Sequence, residues 1–342
     1  MPEPQSVGRV TDRLPRFFFV YQQISLCVYF HEWEEHGGTY LYMIEGLPDM
    51  SGHEKDTLYI VGNGFDLAHG ILSKYKHFCC WLNLNGYEDY ADSLQKMFPN
   101  LDKRIDCLWS NFESALESYD LHELYNQYIP FPQNNSQEEW DNNIVIGTKN
   151  VKTIIDNIPI LLKKWAEEIR VNVSPFLMHL SPESKYLSFN YTLTLEKIYH
   201  IPESHICHIH EKVKGDSKLI VGNDLQISTN NLPANSDEEE KSQVLFVKAL
   251  NGLAKPKQHQ IDKYHSFFAS LSNINNIVVI GHSLAPVDLR YFGEVKQSVK
   301  KNTKWYFSMY THDDIDRVMH FVKPALLQQN YIDNFELFNL KN

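Results

Sequence analysis

The sequence is poor in cysteine and in clusters of basic residues, and each absence excludes a class of protein. Its five cysteines (Cys27, Cys79, Cys80, Cys107 and Cys207) form no Cys-x-x-Cys pair and are odd in number. This argues against a disulfide framework or a zinc ribbon and favours a reducing cytoplasm. The formal net charge is −11 and no run is rich in Lys or Arg. Nucleic acid is therefore a poor candidate as a partner.

Long hydrophobic runs are also missing. The longest apolar stretch, Phe17–Phe30, is interrupted by Gln22, Gln23 and Ser25. A bilayer-spanning helix needs about 20 apolar residues, and a secretory signal needs an unbroken apolar segment and a small-residue cleavage site. We therefore expect a soluble, cytoplasmic protein without a membrane partner.

Residues 1–56 differ from the rest of the chain. Turn-forming residues at Gly37-Gly38, Gly46 and Ser51-Gly52 follow the apolar stretch, and no period of 2 or 3.6 residues runs through the segment. We predict an N-terminal extension, which is either an appendage or a stretch that precedes a native start at Met50. The sequence slightly favours the second reading, with a single domain over residues 57–342.

From Thr57 onward, short apolar runs alternate with helical patterns. The predicted strands are Thr57–Val61, Lys185–Phe189, His205–His210, Lys218–Val221, Asn276–Ile280, Lys304–Tyr310 and Asn334–Leu340. The predicted helices lie around Lys74–Leu84, Tyr90–Met97, Arg104–Tyr119, Val151–Leu180 and Thr194–Tyr199, with another from Pro286. This predicts a Rossmann-like α/β fold, a mostly parallel sheet with helices on both faces and a helical insertion near 100–180. Asn223–Gln260 predicts a polar loop running into a solvated helix.

A glycine-rich loop follows the first predicted strand, with the sequence Gly62-Asn63-Gly64-Phe65-Asp66. Two glycines let the backbone turn sharply and bring a ligand close to the N–H groups of the next element. The loop is not the dinucleotide fingerprint, because the third glycine would fall at Leu67, and it is not a P-loop. A nucleotide-binding loop and an ordinary tight turn both fit.

Polar residues near other predicted strand ends are candidate ligand contacts, because ligands of such sheets bind beyond the carboxyl ends of the strands. Asp66 is expected either to hold a ribose hydroxyl or to cap the helix, and His69 could reach the same cleft. Asn190 can donate and accept at once, which suits a ligand amide or hydroxyl, although Asn also forms turns. Glu113 either points into the cleft or belongs to a helix whose aromatic residues pack in the core.

Two histidines share one face of the predicted strand His205–His210. His208 and His210 could bind a metal if a third ligand came from elsewhere. His210, at the strand end, is alternatively a general base, because imidazole titrates near neutral pH. His208, deeper in the strand, is the better candidate for a structural histidine.

The segment after the strand Asn276–Ile280 resembles half of a nucleophile elbow. It reads Gly281-His282-Ser283-Leu284, but Ala285 stands where the second glycine of GxSxG belongs, which disfavours a serine hydrolase. Ser283 is expected to cap the following helix or to bind a ribose or phosphate. Asp288 follows on the same loop and is a further ligand contact.

Five segments together resemble the AbiH family, which is named for abortive infection against bacteriophage. They are GNGFDLAHG (62–70), WSNFE (109–113), SFNYT…LEKIY (188–199), HIH (208–210) and IGHSL…D (280–288). The resemblance covers about residues 57–300 and implies a bacterial anti-phage role, and it supports Met50 as the start. The chain departs from the family pattern at Leu72, where a proline is usual, and at Glu211, where a glycine is usual. Glu211 is expected to place a bulky acid beside the site.

A more distant resemblance is to sirtuin-like NAD-binding domains. Gly62, Gly64, Gly70 and Ile71 match their glycine loop, and Asn190, His210 and Gly281-x-Ser283 follow in the same order. The cysteine quartet of the deacetylases is missing, and Thr192 stands where those enzymes have an Asp. The resemblance therefore implies an NAD-cleaving protein rather than a deacetylase, with no bound metal.

The AbiH resemblance does not supply a reaction, and the sirtuin-like resemblance leads to the hypothesis of a nucleotide-binding anti-phage protein that acts as an NAD+ glycohydrolase. In that reading the loop of Gly62, Asn63, Gly64, Phe65 and Gly70 holds the pyrophosphate, Asn190 and Asp66 orient the nicotinamide ribose, and His210 is the base. Gly281, His282, Ser283 and Asp288 complete the nucleotide site, with Ser283 on the adenosine side. Two alternatives stay open: a metal-dependent phosphoesterase or nuclease using Asp66, His69, His208 and His210, and a non-catalytic nucleotide sensor. The phage trigger is unknown, and a homo-oligomer is compatible with each reading.

Overall fold

The structure is a computed structural model. It describes residues 43–101, 112–116, 119–132, 136–171, 178–223, 226–232, 234, 236–322 and 335–339.

The described chain builds one sheet of seven strands in which every neighbouring pair is parallel. The strands are β1 (Met43–Glu45), β2 (Thr57–Val61), β3 (Lys185–Ser188), β4 (Ile206–His208), β5 (Asn276–Ile280), β6 (Lys304–Met309) and β7 (Phe335–Asn339). Their order is β1-β7-β6-β5-β2-β3-β4. From β2 the chain moves outward to β4, then returns to β5 and moves outward the other way. This is the doubly wound order, and its topological switch point lies between β2 and β5.

Helices cover both faces of the sheet, as the sequence predicts. They are α1 (Asn63–Ala68), α2 (Tyr75–Leu84), α3 (Glu88–Met97), α4 (Phe112–Ala115), α5 (Leu121–Tyr128), α6 (Gln137–Glu168), α7 (Thr194–Ile198), α8 (Asp237–Leu250), α9 (Lys257–Lys263), α10 (His265–Ala269), α11 (Leu289–Ser298) and α12 (His312–Val322). Helices α9–α12 pack on one face and α1 with α7 on the other. Helices α2–α6 and α8 share a separate apolar core and form what we call the helical unit.

The central strands explain why the sheet was predictable. All five residues of β2 are buried, and so are the last four of β5. A strand covered on both faces has no polar alternation, so it appears in the sequence as a continuous apolar run bounded by turns. The Rossmann-like α/β prediction is confirmed.

Two predicted strands are wrong in part or whole. The strand predicted at His205–His210 ends at His208, and His210 lies in the turn that follows, so the two histidines do not share a strand face. Lys218–Val221 is not a strand. Its Ile220 donates a single backbone hydrogen bond to the carbonyl of His210, 2.9 Å, without extending the ladder.

Predicted helices differ at their ends. Helix α6 begins at Gln137, not Val151, because Ser136 caps it through the N–H of Glu139 and because Gly147 lets the Tyr128 carbonyl approach where a Cβ would lie 2.0 Å away. It ends at Glu168. Of the predicted helix Arg104–Tyr119, α4 lies within the described residues and 102–111 lie outside them.

Helix α8 corrects the prediction of a solvated helix within Asn223–Gln260. Its polar first turn begins at a Ser236 cap, but Phe246, Val247 and Leu250 are buried in the core of the helical unit. The run of acidic residues that led to the prediction of a solvated helix occupies only the first turn of α8.

Part of the predicted N-terminal extension lies in the sheet. Strand β1 pairs with β7, and Met50 is buried against the sheet beside Thr57. The boundary at residue 57 stays a prediction, and residues 1–42 lie outside the described part. Within the described residues, no helix combines the length and hydropathy needed to cross a bilayer.

Candidate functional site

A cavity of about 430 Å³ lies between the carboxyl ends of the central strands and the helical unit. The strand ends contribute the loops around Gly62, Asn190, His210 and Gly281, and the helical unit contributes Tyr75, Phe112 and Trp165. Pockets that bind small molecules span roughly 300–1,000 Å³ and combine apolar walls with a few polar groups. The cavity sits at the switch point, where a doubly wound sheet binds its ligand.

The glycines of the first loop make room for another loop of the protein. A Cβ on Gly62 would lie 2.6 Å from Cα of His282, and one on Gly64 would lie 2.7 Å from Cα of Gly281. The N–H of Gly62 donates to the carbonyl of Ile280, 2.9 Å, and the N–H of Gly64 donates to that of Gly281, 2.8 Å. The sequence analysis expected this loop to hold a ligand phosphate. Its two N–H groups are instead bonded to the end of β5 and to the segment 281–288 that follows it, which we call the β5 loop.

Asp66 is fully buried at the base of the cavity, where Thr192 donates a hydrogen bond of 2.5 Å to its Oδ2. It does not cap α1, because Gly62 occupies the capping position without a side-chain bond. Burial raises the pKa of this carboxyl to about 6, against the lowering effect of hydrogen bonding from Thr192. Asp66 is thus a carboxyl group that titrates close to neutral pH inside a cavity, as functional carboxyls often do.

The Asp66→Asn variant should be more stable than the parent protein above pH 6. Because the folded-state pKa of about 6 exceeds the ordinary aspartate value of 3.8, the folded protein holds this proton more tightly than the unfolded chain does. The carboxyl's contribution to the free energy of unfolding therefore falls as the pH rises from about 4 to about 6. Asp66→Asn should gain about 2–3 kcal/mol at about pH 8 and only about 1 kcal/mol at about pH 4.5.

Urea unfolding of both proteins at these two pH values measures that gain. The exposed Asp89→Asn on α3 is the matched control for losing a carboxylate. Equal stability of Asp66→Asn and the parent protein at the higher pH would contradict the assigned burial cost.

Asn190 lines the cavity, and a hydrogen bond to the glycine loop fixes its side chain. Its Nδ2 donates to the carbonyl of Gly62, 3.1 Å, while its buried Oδ1 has no hydrogen-bond partner among the described residues. His208 lies behind it, with Nδ1 3.2 Å from the Asn190 carbonyl and Nε2 3.0 Å from Oε1 of Glu196. His208 is therefore a structural histidine, as predicted, and Asn190 presents a free acceptor.

Three residues predicted for the site lie outside the cavity lining. Phe65 is fully buried against His69 and Tyr199, and Gly70 ends α1 at an exposed position with φ +71°. His69 has both ring nitrogens engaged, Nδ1 by the Phe65 carbonyl and Nε2 by the hydroxyl of Tyr199, 2.7 Å each. Since His69 and His208 are both held by protein partners, the set of Asp66, His69, His208 and His210 does not converge as metal ligands. Across the described part of the chain, no group of three His, Cys, Asp or Glu residues is placed to hold a metal.

A buried charge cluster lies beside the cavity, centred on Lys255. Its Nζ is 3.0 Å from Oε1 of Glu113 and 3.2 Å from Oδ1 of Asp288, and its side chain is completely buried. Burial alone would lower the pKa of Lys255, but the two carboxylates outweigh this and raise it, so the group is an ammonium ion. Burial would likewise raise the pKa of Asp288, but the Lys255 ammonium and a hydrogen bond from His210 hold it well below its usual range. This ion cluster joins the helical unit to the loop after β5.

His210 lines the cavity and contacts this cluster. Its Nε2 is 3.3 Å from Oδ1 of Asp288 and 3.5 Å from Nζ of Lys255. Among the described residues, Nδ1 of His210 has no hydrogen-bond partner. The ring packs edge-on to Phe189 at 5.2 Å. The arrangement, a carboxylate at one ring nitrogen and an unpaired nitrogen at the other, is that of a general base with its orienting acid.

The loop after β5 holds two further predicted residues. His282 is buried against Phe189, and its Nδ1 accepts the N–H of Leu284, 2.9 Å. Burial lowers its pKa to about 4, so it is neutral at pH 7. Ser283 lines the cavity at an exposed position and does not cap the next helix, whose capping residue Ala285 has no side-chain bond.

Glu211 does not place its acid in the cavity. Its carboxylate pairs with Lys263 of α9, and it is absent from the residues that line the cavity. Its backbone has φ +65°, a left-handed conformation that costs a side-chain-bearing residue about 1–2 kcal/mol and that glycine adopts freely. The left-handed backbone at Glu211 explains why a glycine suits this position. The prediction that Glu211 places a bulky acid beside the site is wrong, because its carboxylate is directed to Lys263.

The sequence comparisons agree with this architecture. The family described as Bacteriophage abortive infection AbiH matches residues 58–309, from β2 to the end of β6. The chain belongs to the AbiH family. A role in bacterial abortive infection against bacteriophage follows from this membership. No curated protein matches the chain.

Sequence reasoning missed Lys255 in this AbiH-family chain. The residue lies in a polar segment without a recognisable motif, between Ala254 and Pro256. Its backbone is fixed by Asn223, whose carbonyl accepts the N–H of Lys255 at 3.0 Å. Only the tertiary fold brings residues 113, 255 and 288 together, so no local signal could have found the cluster.

Proposed function

We propose that this AbiH-family protein binds NAD+ in the cavity and hydrolyses the bond between nicotinamide and ribose. NAD+ and water would give nicotinamide, ADP-ribose and a proton, and loss of cytoplasmic NAD+ would halt growth of the infected cell. The observation that carries the proposal is the meeting of Asp66, Asn190, His210 and Asp288 in one cavity at the switch point. These four residues come from four separate segments of the chain.

The walls of the cavity suit a nicotinamide group. The ring is flat and carries a positive charge in NAD+, and aromatic side chains attract such cations. Tyr75, Phe112, Trp165, Phe189 and Tyr191 supply the aromatic lining. The unpaired Oδ1 of Asn190 offers an acceptor to a carboxamide or a ribose hydroxyl.

The charges of the site also suit this reaction. Cleavage of a glycosidic bond passes through a transition state with positive charge on the sugar. Asp66 and Glu113 line the cavity with Asp288, and Lys255 is the ammonium group paired with the last two. The excess of carboxylates stabilises the positive charge that moves from the nicotinamide ring onto the ribose in the transition state.

His210 is the proposed base. Water attacks the ribose carbon, the carbon–nitrogen bond breaks with its electron pair moving to the nicotinamide ring, and the water proton passes to Nδ1 of His210. Asp288 holds the opposite nitrogen, 3.3 Å away, and stabilises the imidazolium that forms. Asp66 orients the ribose from below.

The diphosphate is expected at the mouth of the cavity. The N–H groups of Gly62 and Gly64 donate to carbonyls of Ile280 and Gly281. The glycine loop therefore has fewer free N–H donors for a phosphate than the sequence suggested. The Nδ2 of Asn63 is held by the carbonyl of Ser73, 3.1 Å away, whereas Lys74 and Ser283 are exposed and line the cavity. Their hydrogen-bond donors, and the charge of Lys74, suit phosphate oxygens.

Chromatography of NAD+ incubated with the purified full-length protein tests the proposal. Nicotinamide and ADP-ribose should appear in equal amounts and be insensitive to EDTA. Asn190→Ala should remove most of this activity, whereas the exposed Asn85→Ala is the matched control. Binding of NAD+ without products would instead support the nucleotide sensor. Phosphodiester cleavage that EDTA abolishes would support the metal-dependent phosphoesterase.

A further inference from the structure

We propose that Lys255 is a positioning residue of this site, whose ammonium group fixes Asp288 and, 3.5 Å from Nε2 of His210, opposes protonation of that imidazole. The link to catalysis rests on the proposed function, whereas the effect on His210 does not. Lys255 is absent from the residues that line the cavity, so it acts through its neighbours.

The contacts of Lys255 support a positioning role. Its ammonium bridges Glu113 of α4, 3.0 Å away, and Asp288 of the β5 loop, 3.2 Å away. A completely buried lysine gives up its hydration, and such a charge persists only where partners compensate it. Its backbone is held by Asn223, whose own Nδ2 donates to the carbonyl of Leu116, 3.0 Å. Lys255 is therefore fixed at both ends.

The short distance between Lys255 and His210 determines how the ammonium group acts on the imidazole. Nζ lies 3.5 Å from Nε2 of His210, and Oδ1 of Asp288 lies 3.3 Å from the same atom. Asp288 alone would favour the imidazolium form, in which His210 cannot accept a proton. The nearby ammonium opposes this, because like charges disfavour each other. In the tautomer with its proton on Nε2, the ring donates to Asp288 and Nδ1 keeps its lone pair.

Other groups around His210 do not replace this cation. The titratable groups that face it from the packed elements are Asp288, Lys255, His282, Tyr191 and Tyr291. His282 is neutral, for the reason given above, and the tyrosines are neutral phenols below pH 10. The next residue, Glu211, directs its carboxylate to Lys263. Among the described residues, Lys255 is thus the cation that faces the His210 ring.

Titration of His210 by NMR in protein labelled at histidine tests the inference without NAD+. The signal is assigned with His210→Gln. In Lys255→Met the pKa of His210 should rise by at least about one unit, and Lys255→Arg should return it to within about half a unit because the charge is kept. The exposed Lys241→Met on α8 is the control for loss of a lysine, and it should leave the titration unchanged.

A charge-balanced double variant keeps the test possible if the single variant does not fold. If Lys255→Met alone does not fold, Lys255→Met with Glu113→Gln removes one cation and one carboxylate together, and the pKa of His210 should still rise. A folded variant whose His210 titrates as in the parent protein would overturn the inference.

Kinetics then separate the inference from the proposed function. In Lys255→Met the acidic limb of kcat should move to higher pH by the same amount as the pKa of His210, with KM little changed. A shifted titration in a protein that never cleaves NAD+ would support the positioning role and overturn the proposed reaction. A shifted titration with an unmoved kcat limb would contradict His210 as the base.

Discussion

Replacing His210 with alanine should lower the rate of nicotinamide release by about 10²- to 10⁴-fold, the range for loss of a general base. The side chain lines the cavity, and its removal leaves Asp288 paired with Lys255 at 3.2 Å, so the charge cluster survives. The fold should therefore persist, with a cooperative thermal transition like that of the parent protein. Steady-state rates at saturating NAD+ measure the effect.

His208→Gln is the matched control for this prediction. Both nitrogens of His208 are bonded to protein groups, the Asn190 carbonyl and Glu196. Its loss should reduce stability and leave kcat within about tenfold, because it supports Asn190 only indirectly. An active His210→Ala together with an inactive His208→Gln would reverse the assignment of the two histidines.

Gly281→Ala should destabilise the protein by roughly 3–5 kcal/mol, from left-handed strain and overpacking together. Gly281 has φ +63°, and a Cβ there would lie 2.2 Å from the backbone N of Phe65. The clash is with backbone on both sides, since the Gly281 carbonyl accepts the N–H of Gly64 and its N–H donates to Oγ of Ser308. No side chain can move aside to relieve it.

Gly70→Ala separates backbone strain from the loop crossing. Gly70 has φ +71°, but a Cβ at this position would meet no atom of the described residues within 4 Å. The substitution should cost about 1–2 kcal/mol, the strain alone. Denaturant midpoints of the two variants give the comparison. Similar losses for both would contradict the close crossing of the loops after β2 and β5.

The sheet could be predicted from the sequence, and the reason is physical. Strands β2 and β5 are buried on both faces, so Thr57–Val61 and Asn276–Ile280 are recognisable as apolar runs. Helix ends were less predictable. The Ser136 cap of α6 is a local signal that the prediction did not use, whereas the approach of Tyr128 to Gly147 depends on the tertiary fold and leaves no local pattern.

Part of the site could be predicted as well. Because parallel strands end on the same side of the sheet, Asp66, Asn190 and His210 were expected to lie near one cleft, and they line one cavity. The roles of the glycines were not predictable, since a glycine needed for a phosphate and one needed for a crossing loop look alike in sequence. Lys255 was missed because a buried lysine is recognised only by the partners that the fold brings to it.

A crystal structure of His210→Ala with NAD+ tests most directly whether the switch-point cavity is the ligand site. We expect the nicotinamide among the aromatic side chains of the cavity, with its ribose beside Asp66 and an amide or hydroxyl donating to Oδ1 of Asn190. NAD+ bound elsewhere, with this cavity closed or filled by protein side chains, would contradict this expectation.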